Sequence, residues 1–404
     1  MERTAKSSIS IKKGDSMLMK NRLRKLMSVG MVIGLVGLMS PVFVSGSGAS
    51  TISKSAGIAK ARALIAEYLA NPGFVSPGPS INVKKLKGKT IFSIPANSAV
   101  PFVETVDQVM ASYAKALGIT YIDYPNQQQQ SQQVAGMNQA ITDKVNAIDL
   151  EGGIDPATLA PQINAAKAAG IPTVDTGERN VGQPSAPYIA AYAYAPFRLA
   201  GELMAAWAVV QTKGNANILE VTSNADVSSV SVQRGMNSEL KATCPTCKVS
   251  SVNVNPVDWA TQLQSTVQGA ITGTPGLNYI LPVFDSMAIF GIDSAITAAG
   301  AVGKIHVASF NGTPSVINLI SKSSSDIISM DVGENTSDVA AAGLDDLMRV
   351  MLKMKPGNEV MNTRVIDAAN VSQTGAPKAV SGRGYGNSYI VGFAKTWGVS
   401  PGSL

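Results

Sequence analysis

The chain has 404 residues, of which 45% are hydrophobic and 15% are charged, a composition typical of a globular protein rather than a disordered one. Its formal net charge is +6, from 33 Lys and Arg against 27 Asp and Glu. Residues 1–50 hold eight of the basic and two of the acidic residues, so the rest of the chain carries 25 of each sign. Nucleic-acid binding needs clustered basic residues. A formally neutral body therefore argues against a nucleic-acid partner.

The first fifty residues predict an export signal. Basic residues at positions 20–25 precede the apolar run Leu26–Val44, and small residues occupy positions 45–50. This is the order of a secretory signal peptide, which we expect to occupy residues 1–50 with cleavage near 46–50. The alternative is a retained membrane anchor, because the run is nearly long enough to span a bilayer. Pro41 and the small residues favour cleavage, and hence an exported protein in the periplasm or on the extracellular face of the cytoplasmic membrane.

A helix and a linker open the body of the chain. Apolar residues at three-to-four spacing predict a helix over residues 51–70. The following segment, Asn71–Pro79, is rich in Pro and Gly. Residues 51–86 are therefore expected to form an N-terminal extension and linker that packs on the body or acts as a stalk.

From Thr90 onward the sequence predicts strands that alternate with helices, in two successive rounds. The predicted strands are Thr90–Pro95, Tyr121–Tyr124, Ala147–Leu150, Thr173–Asp175, Ala190–Tyr194, Asn217–Val221, Lys248–Val254, Tyr279–Pro282 and Ile305–Ser309. Such alternation is typical of parallel sheets covered by helices. The expected fold class is α/β, with two similar lobes that each contain a parallel sheet flanked by helices.

Polar residues follow these strands, at the sheet edge where α/β proteins bind their ligands. The segments are Asn97–Ser98, Glu151–Gly153, Asp175–Arg179, Ser223–Asp226, Phe284–Asp285 and Asn311–Thr313. None is a phosphate-binding loop, and the sequence contains no nucleophile elbow or zinc-protease motif. We expect no enzymatic activity, no cofactor and no metal ion.

Cys244 and Cys247 form a C-x-x-C pair, which has redox, metal and structural interpretations. A zinc site would need two more ligands, and the sequence offers one histidine, His306, and no further cysteine. The pair follows a predicted helix and precedes a strand, unlike a thioredoxin motif. In an exported protein we expect a small structural disulfide.

Two other features are interpreted as structural. Trp259 begins a predicted helix, where we expect it to pack. Asp345 and Asp346 lie on a predicted helix, where we expect them to be solvated.

Four segments of the chain resemble the ribose-binding type of periplasmic binding protein, the type I fold. Thr90–Gly118 resembles the family's opening unit, and Gly170–Arg179 resembles its GIPV strand, which is followed by an acidic residue and an arginine. Asn217–Leu240 resembles the second-lobe unit, and Ala308–Pro314 resembles the GFDGTP turn. The order and spacing hold over Lys89–Ala368.

The resemblance implies an extracytoplasmic receptor that closes two lobes on a small solute, a sugar or polyol, and delivers it to the permease subunits of an ABC transporter. It also implies a three-strand hinge between the lobes, with crossings near Ala191–Ala193, Glu334–Asn335 and Thr363–Asp367. The first lobe would comprise residues 87–192 and 335–364. The second would comprise 193–334 and 365–404, including a C-terminal extension. We expect a monomer.

The resemblance also implies a set of ligand-binding residues. These are Phe102, Glu178, Arg179, Arg234, Phe284, Asp285, Asn311 and Glu334. Phe102 would stack on the solute, Glu178 or Arg179 would clamp its hydroxyls, and Arg234 would donate from the second lobe.

Several of these residues depart from the family pattern. Asn311 stands where Asp is usual, Glu334 where an amide is common and Phe284 where Asn is typical. The departures argue against ribose and suit a larger, partly apolar or positively charged solute. As alternatives, Phe102 and Phe284 could be packing residues, Arg179 could pair with Glu178, and Arg234 could bridge to Asp226.

Other functions stay open at this point. The chain could be a sensory receptor for a membrane kinase or chemoreceptor, or a receptor for an amino acid or nucleoside. An exported hydrolase has little motif support. A transcription-factor sensor core shares the fold, but the predicted export signal argues against it.

Overall fold

The structure is a computed structural model that describes residues 52–320 and 327–404. The predicted signal peptide, residues 1–50, lies outside the described residues. Across the described part of the chain, no helix combines the length and the apolar character that crossing a membrane requires. The described chain opens with helix α1, Lys54–Glu67, whose first turn is capped by the Ser53 hydroxyl.

A five-stranded parallel sheet in the order β2-β1-β3-β4-β5 forms the centre of the first lobe. Its strands are Thr90–Pro95 (β1), Thr120–Asp123 (β2), Ala147–Glu151 (β3), Thr173–Asn180 (β4) and Ile189–Ala195 (β5). From β1 to β4 the connections are the helices α2 (Pro101–Ala116), α3 (Gln130–Thr142) and α4 (Ala160–Ala168). Helix α2 begins with a proline, whose missing N–H is not needed there, and Gly118 follows its end with φ +73°.

The second lobe contains a six-stranded sheet in the order β11-β10-β9-β8-β6-β7. Its strands are Asn217–Thr222 (β6), Lys248–Asn253 (β7), Tyr279–Pro282 (β8), His306–Phe310 (β9), Ile328–Glu334 (β10) and Thr363–Asp367 (β11). All neighbours are parallel except β10 and β11. Two helix-covered sheets of this kind confirm the predicted α/β fold class.

The remaining helices accompany the second sheet or return to the first. They are α5 (Phe197–Gln211), α6 (Val227–Thr243), α7 (Trp259–Gly273), α8 (Asp285–Met287), α9 (Asp293–Ala298), α10 (Pro314–Ile320), α11 (Thr336–Met351) and α12 (Ser388–Trp397). Between α6 and β7, Cys244 and Cys247 are joined in a disulfide.

Three segments connect the two lobes. Strand β5 leads into α5, which packs on β9 and β10, and β10 leads into α11, which packs on β3, β4 and β5. The chain crosses back to the second lobe after α11, in the segment where Met361 N–H donates to the carbonyl of Tyr194 at 2.8 Å. This return precedes β11, although the sequence places it within Thr363–Asp367. The reason is that Thr363 is already paired with Glu334 in the second sheet.

The N-terminal extension packs on helices of the second lobe, and the C-terminal helix α12 packs on helices of the first lobe. Helix α1 packs on α5 and α6, so closely that a Cβ on Gly57 would come within 1.9 Å of the Thr243 carbonyl oxygen. Helix α12 packs on α11 of the first lobe, and its Trp397 ring lies 6.3 Å from that of Tyr113 in α2. Helix α12, which belongs to the segment 365–404 assigned to the second lobe, thus packs on first-lobe helices.

Candidate ligand-binding site

A cavity lies where the carboxyl ends of the two sheets face each other, the position at which α/β proteins bind ligands. It contains about 650 Å³ of space free of protein atoms, part of it open to solvent. The first lobe contributes the ends of β1 and β3 and the start of α2. The second contributes the segments after β6, β7, β8, β9 and β10. Residues of both lobes therefore line one space at the strand ends.

Aromatic rings form the apolar part of the lining. Phe102 is the second residue of α2, Trp259 opens α7, and Phe284 follows β8. The rings of Trp259 and Phe284 are 6.3 Å apart, centroid to centroid, at 51°. The Trp259 indole N–H donates to the carbonyl of Val254 at 2.9 Å, which fixes the ring in place. Such rings can stack on the C–H face of a sugar or on a cation.

Among the described residues, three carboxylate side chains line the same cavity: Glu151 at the end of β3, Asp226 before α6 and Glu334 at the end of β10. All three are buried. Burial raises the pKa of Glu334 to about 8, although a hydrogen bond from Asn311 Nδ2 at 3.1 Å opposes the shift. Burial likewise raises the pKa of Glu151 well above its usual range, and the nearby Asp107 adds to the effect. Both carboxyls therefore favour their protonated forms near neutral pH.

Asn311 combines a polar side chain with a strained backbone. Its φ of +137° is a region that residues other than glycine rarely adopt. Three hydrogen bonds fix it there: its N–H donates to the carbonyl of Val332 at 3.3 Å, its carbonyl accepts from Glu334 N–H at 3.2 Å, and its Oδ1 accepts from Asp285 N–H at 3.4 Å. The strain is thus located at a residue that lines the cavity.

The two lobes touch directly at the cavity through Gln128 and Asp226. Gln128, in the loop after β2, donates from Nε2 to Asp226 Oδ1 at 3.0 Å, while Ser223 Oγ donates to Asp226 Oδ2 at 2.7 Å. Burial raises the pKa of Asp226 to about 6, and these two hydrogen bonds moderate the rise. The contact joins the first lobe to the second, so the described arrangement of the lobes is a closed one.

Of the residues implied from the sequence, four line the cavity: Phe102, Phe284, Asn311 and Glu334. Glu178 is buried next to it, with Oε2 3.7 Å from where a Cβ on the lining residue Gly153 would stand. Asp285 is buried under the lining and accepts hydrogen bonds from Ser309 Oγ at 2.6 Å and Thr313 N–H at 2.8 Å. Glu178 and Asp285 therefore support the lining and are not themselves part of it.

The two arginines are not brought to the cavity. Arg179 donates from Nη1 to the carbonyl of Pro184 at 3.0 Å, and its Nη2 lies 3.8 Å from Asp155. Arg234 is exposed on α6. The cause is the packing of α6 on α5, where a Cβ on Gly235 would come within 1.9 Å of the Arg198 carbonyl oxygen. This contact turns Gly235 inward and the preceding residue outward.

Several lining residues escape the sequence prediction. Trp259, interpreted as packing, lines the cavity together with Glu151, Asp226 and Gln128. For Glu151 and Asp226 the signal was present, because both follow strands that end at the ligand-binding edge. Trp259 also lies shortly after a strand, because α7 begins a few residues after β7, and the same rule could have identified it.

Two α/β lobes that enclose a lined cavity at their strand ends define the class of two-lobed ligand-binding proteins. Residues 91–355 match the model of the periplasmic binding protein domain family, and the chain belongs to this family. It is therefore a binding protein and not an enzyme, and the family's location is outside the cytoplasm. A comparison with the curated proteins gives no match.

Solved structures share the fold at low sequence identity. A 5-methylthioribose transporter solute-binding protein from Thermotoga lettingae, in complex with 5-methylthioribose, is 18% identical with a TM-score of 0.64, over 77% of this chain and 94% of its own. An Agrobacterium vitis solute-binding protein with bound α-D-tagatopyranose is 18% identical with a TM-score of 0.63, over 72% and 99%. A Bacillus halodurans solute-binding protein with bound myo-inositol is 15% identical with a TM-score of 0.60, over 71% and 97%.

Proposed function

We propose that the protein is an exported receptor that closes its two lobes on a small polar solute, a sugar or polyol, and delivers it to the permease of an ABC transporter. One observation carries this proposal. A cavity between the strand ends of two lobes is lined by aromatic rings and by carboxylate and amide side chains. Rings suit the C–H face of a sugar, and the polar groups suit its hydroxyls.

The structural relatives support the same class of solute, since those proteins hold sugars and polyols in their own structures. Export is supported by the basic, apolar and small-residue order of positions 20–50.

A thermal-shift screen of the purified protein tests the binding step, with sugars, polyols, amino acids and nucleosides as probes. A ligand at a hundred times its Kd should add about 2.7 kcal/mol to the free energy of unfolding. We expect at least one sugar or polyol to raise Tm. If only an amino acid or a nucleoside does so, the proposed solute class is wrong.

Uptake measurements test the delivery step. Cells that lack this protein should lose high-affinity uptake of the labelled solute found in the screen, and the restored gene should recover it. Unchanged uptake in the deleted strain would contradict a transport role, even if the purified protein binds the solute.

A further inference from the structure

The charged groups that line the cavity are all acidic. Within residues 52–320 and 327–404, the lining contains the carboxyl groups of Glu151, Asp226 and Glu334, but no Lys, Arg or His. Arg179, which influences the nearby Glu178, directs its Nη atoms to Pro184 and Asp155. The cavity thus has acidic groups from both lobes and no basic group in its lining to balance them.

Several acceptor oxygens of the cavity residues lack a partner. Both carboxylate oxygens of Glu151 and Oε1 of Glu334 are buried without a hydrogen-bond partner in the protein. The amide N–H groups that could serve a ligand are partly engaged, because Asn311 Nδ2 donates to Glu334 and Gln128 Nε2 donates to Asp226. A buried acceptor without a partner destabilises the protein. A ligand rich in N–H donors would satisfy these oxygens.

The aromatic residues fit the same kind of ligand. Phe102, Trp259 and Phe284 line the cavity together with the carboxylates. The face of an aromatic ring attracts a cation, most strongly when the site excludes water. A neutral polyol would use the rings through its C–H groups alone.

We propose that the solute of this cavity carries a positively charged amino group beside its hydroxyls, as in an amino sugar or an amino polyol. The buried oxygens of Glu151 and Glu334 would accept from the ammonium and hydroxyl groups, and the rings would cover the rest of the solute. This inference rests on the proposed receptor function and narrows its solute class.

Proton release on binding follows from the same groups. Burial raises the pKa of Glu334 to about 8 and that of Glu151 well above its ordinary value, so both carboxyls favour their protonated forms near neutral pH. An ammonium group favours the ionised carboxylate and lowers these pKa values. Binding should then release protons, and affinity should fall as the pH drops from 8 to 5.

Other acidic groups near these two carboxyls reinforce the shift. Near Glu334 these groups are Asp285 of α8 and Asp331 of β10. Near Glu151 they are Asp107 of α2, Asp123 of β2 and Asp149 of β3. Tyr385 donates from its hydroxyl to the Glu334 carbonyl at 3.2 Å.

Calorimetry on matched ligands tests the inference. The probes are D-glucose and D-glucosamine, D-galactose and D-galactosamine, and sorbitol and 1-amino-1-deoxysorbitol, with N-acetylglucosamine as an uncharged control. In at least one pair we expect the amino member to bind tenfold or more tightly at pH 6.5, where its amino group is protonated. Titrations at this pH in two buffers of different ionisation enthalpy should show proton release for that member only.

The outcomes separate this inference from the proposed function. Equal or tighter binding of the neutral members would overturn the inference and leave the sugar-receptor function intact. Binding by no member of any pair would contradict both. Tight binding of the amino member without proton release would refute the roles given to Glu151 and Glu334.

Isosteric variants add a second measurement. Glu334→Gln and Glu151→Gln should each reduce the preference for the amino member over the neutral member severalfold. Glu220→Gln is the matched control, because Glu220 is a buried carboxyl of β6 that accepts from Gln233 Nε2 at 2.9 Å outside the cavity. An unchanged preference in both cavity variants would overturn the inference. If either variant fails to fold, the wild-type pairs still decide.

Discussion

Single residues in the cavity differ in how firmly they are held. Trp259 is buried and its indole N–H is bonded to Val254, whereas Phe102 is half-buried at the start of α2. Removing Trp259 would therefore disturb the second lobe as well as the site. Phe102 is the better probe of ligand stacking, because fewer contacts within its own lobe depend on it.

Truncation of Phe102 should weaken ligand binding with little effect on folding. We expect Phe102→Ala to raise the Kd for the solute about five- to thirtyfold, which corresponds to about 1–2 kcal/mol of lost contact. Arg234→Ala is the control, and its Kd should stay within about twofold of wild type because Arg234 is exposed on α6. Calorimetric titration of both variants measures this. A large loss in the Arg234 variant would place that residue in the site after all.

Residues that directly follow or end a strand could be placed at the cavity from the sequence. The sequence did not show which face of a helix is buried. Phe284, Asn311 and Glu334 follow or end strands, so their place at the cavity could be predicted. Arg234 lies within a helix, where one residue of rotation exchanges the buried face for the exposed one. That rotation is set by the close contact of Gly235 with α5, which no local pattern encodes.

Among the elements, the terminal helices had the least predictable positions. Asp345 and Asp346 look like solvated residues on a helix, yet both are buried. Asp345 is covered by α12, whose Trp397 donates its indole N–H to Asp345 Oδ1 at 2.7 Å, while Arg349 donates from Nε to Oδ2 at 2.5 Å. Asp346 instead accepts from the backbone N–H of Gly357 at 2.7 Å. The contact between Trp397 and Asp345 joins residues 52 positions apart, a pairing that periodicity cannot reveal.

Loss of the Trp397 side chain should destabilise the first lobe. Trp397→Ala removes a buried ring and leaves one oxygen of Asp345 without its donor, so we expect the free energy of unfolding to fall by about 3–5 kcal/mol. Val391→Ala is the control on the same helix, because Val391 is 45% exposed and its loss should cost roughly 0.5 kcal/mol or less. Urea unfolding of both variants measures the difference. Similar effects of the two substitutions would mean that α12 is not packed on the lobe as described.

For the whole molecule, function depends on how the lobes approach each other. The alternation of strands and helices was enough to predict two sheets and the edge at which they face. It could not predict the contact between Gln128 and Asp226, since this pair is separated by 98 positions and lies on different lobes. Gln128 has φ +60°, so its loop is shaped by a conformation that its residue type does not favour.

The Gln128–Asp226 hydrogen bond should stabilise the closed state. It forms only when the lobes are together, so its loss should favour opening and shorten the residence time of the solute. A hydrogen bond of this kind contributes about 1 kcal/mol, and we expect Gln128→Ala to raise koff about three- to tenfold while kon changes less. Stopped-flow fluorescence can follow this, because Trp259 lines the cavity and reports its occupancy. Gln130→Ala is the control, since Gln130 donates to the Thr158 carbonyl within the first lobe. A wild-type koff in the Gln128 variant would show that other contacts between the lobes govern closure.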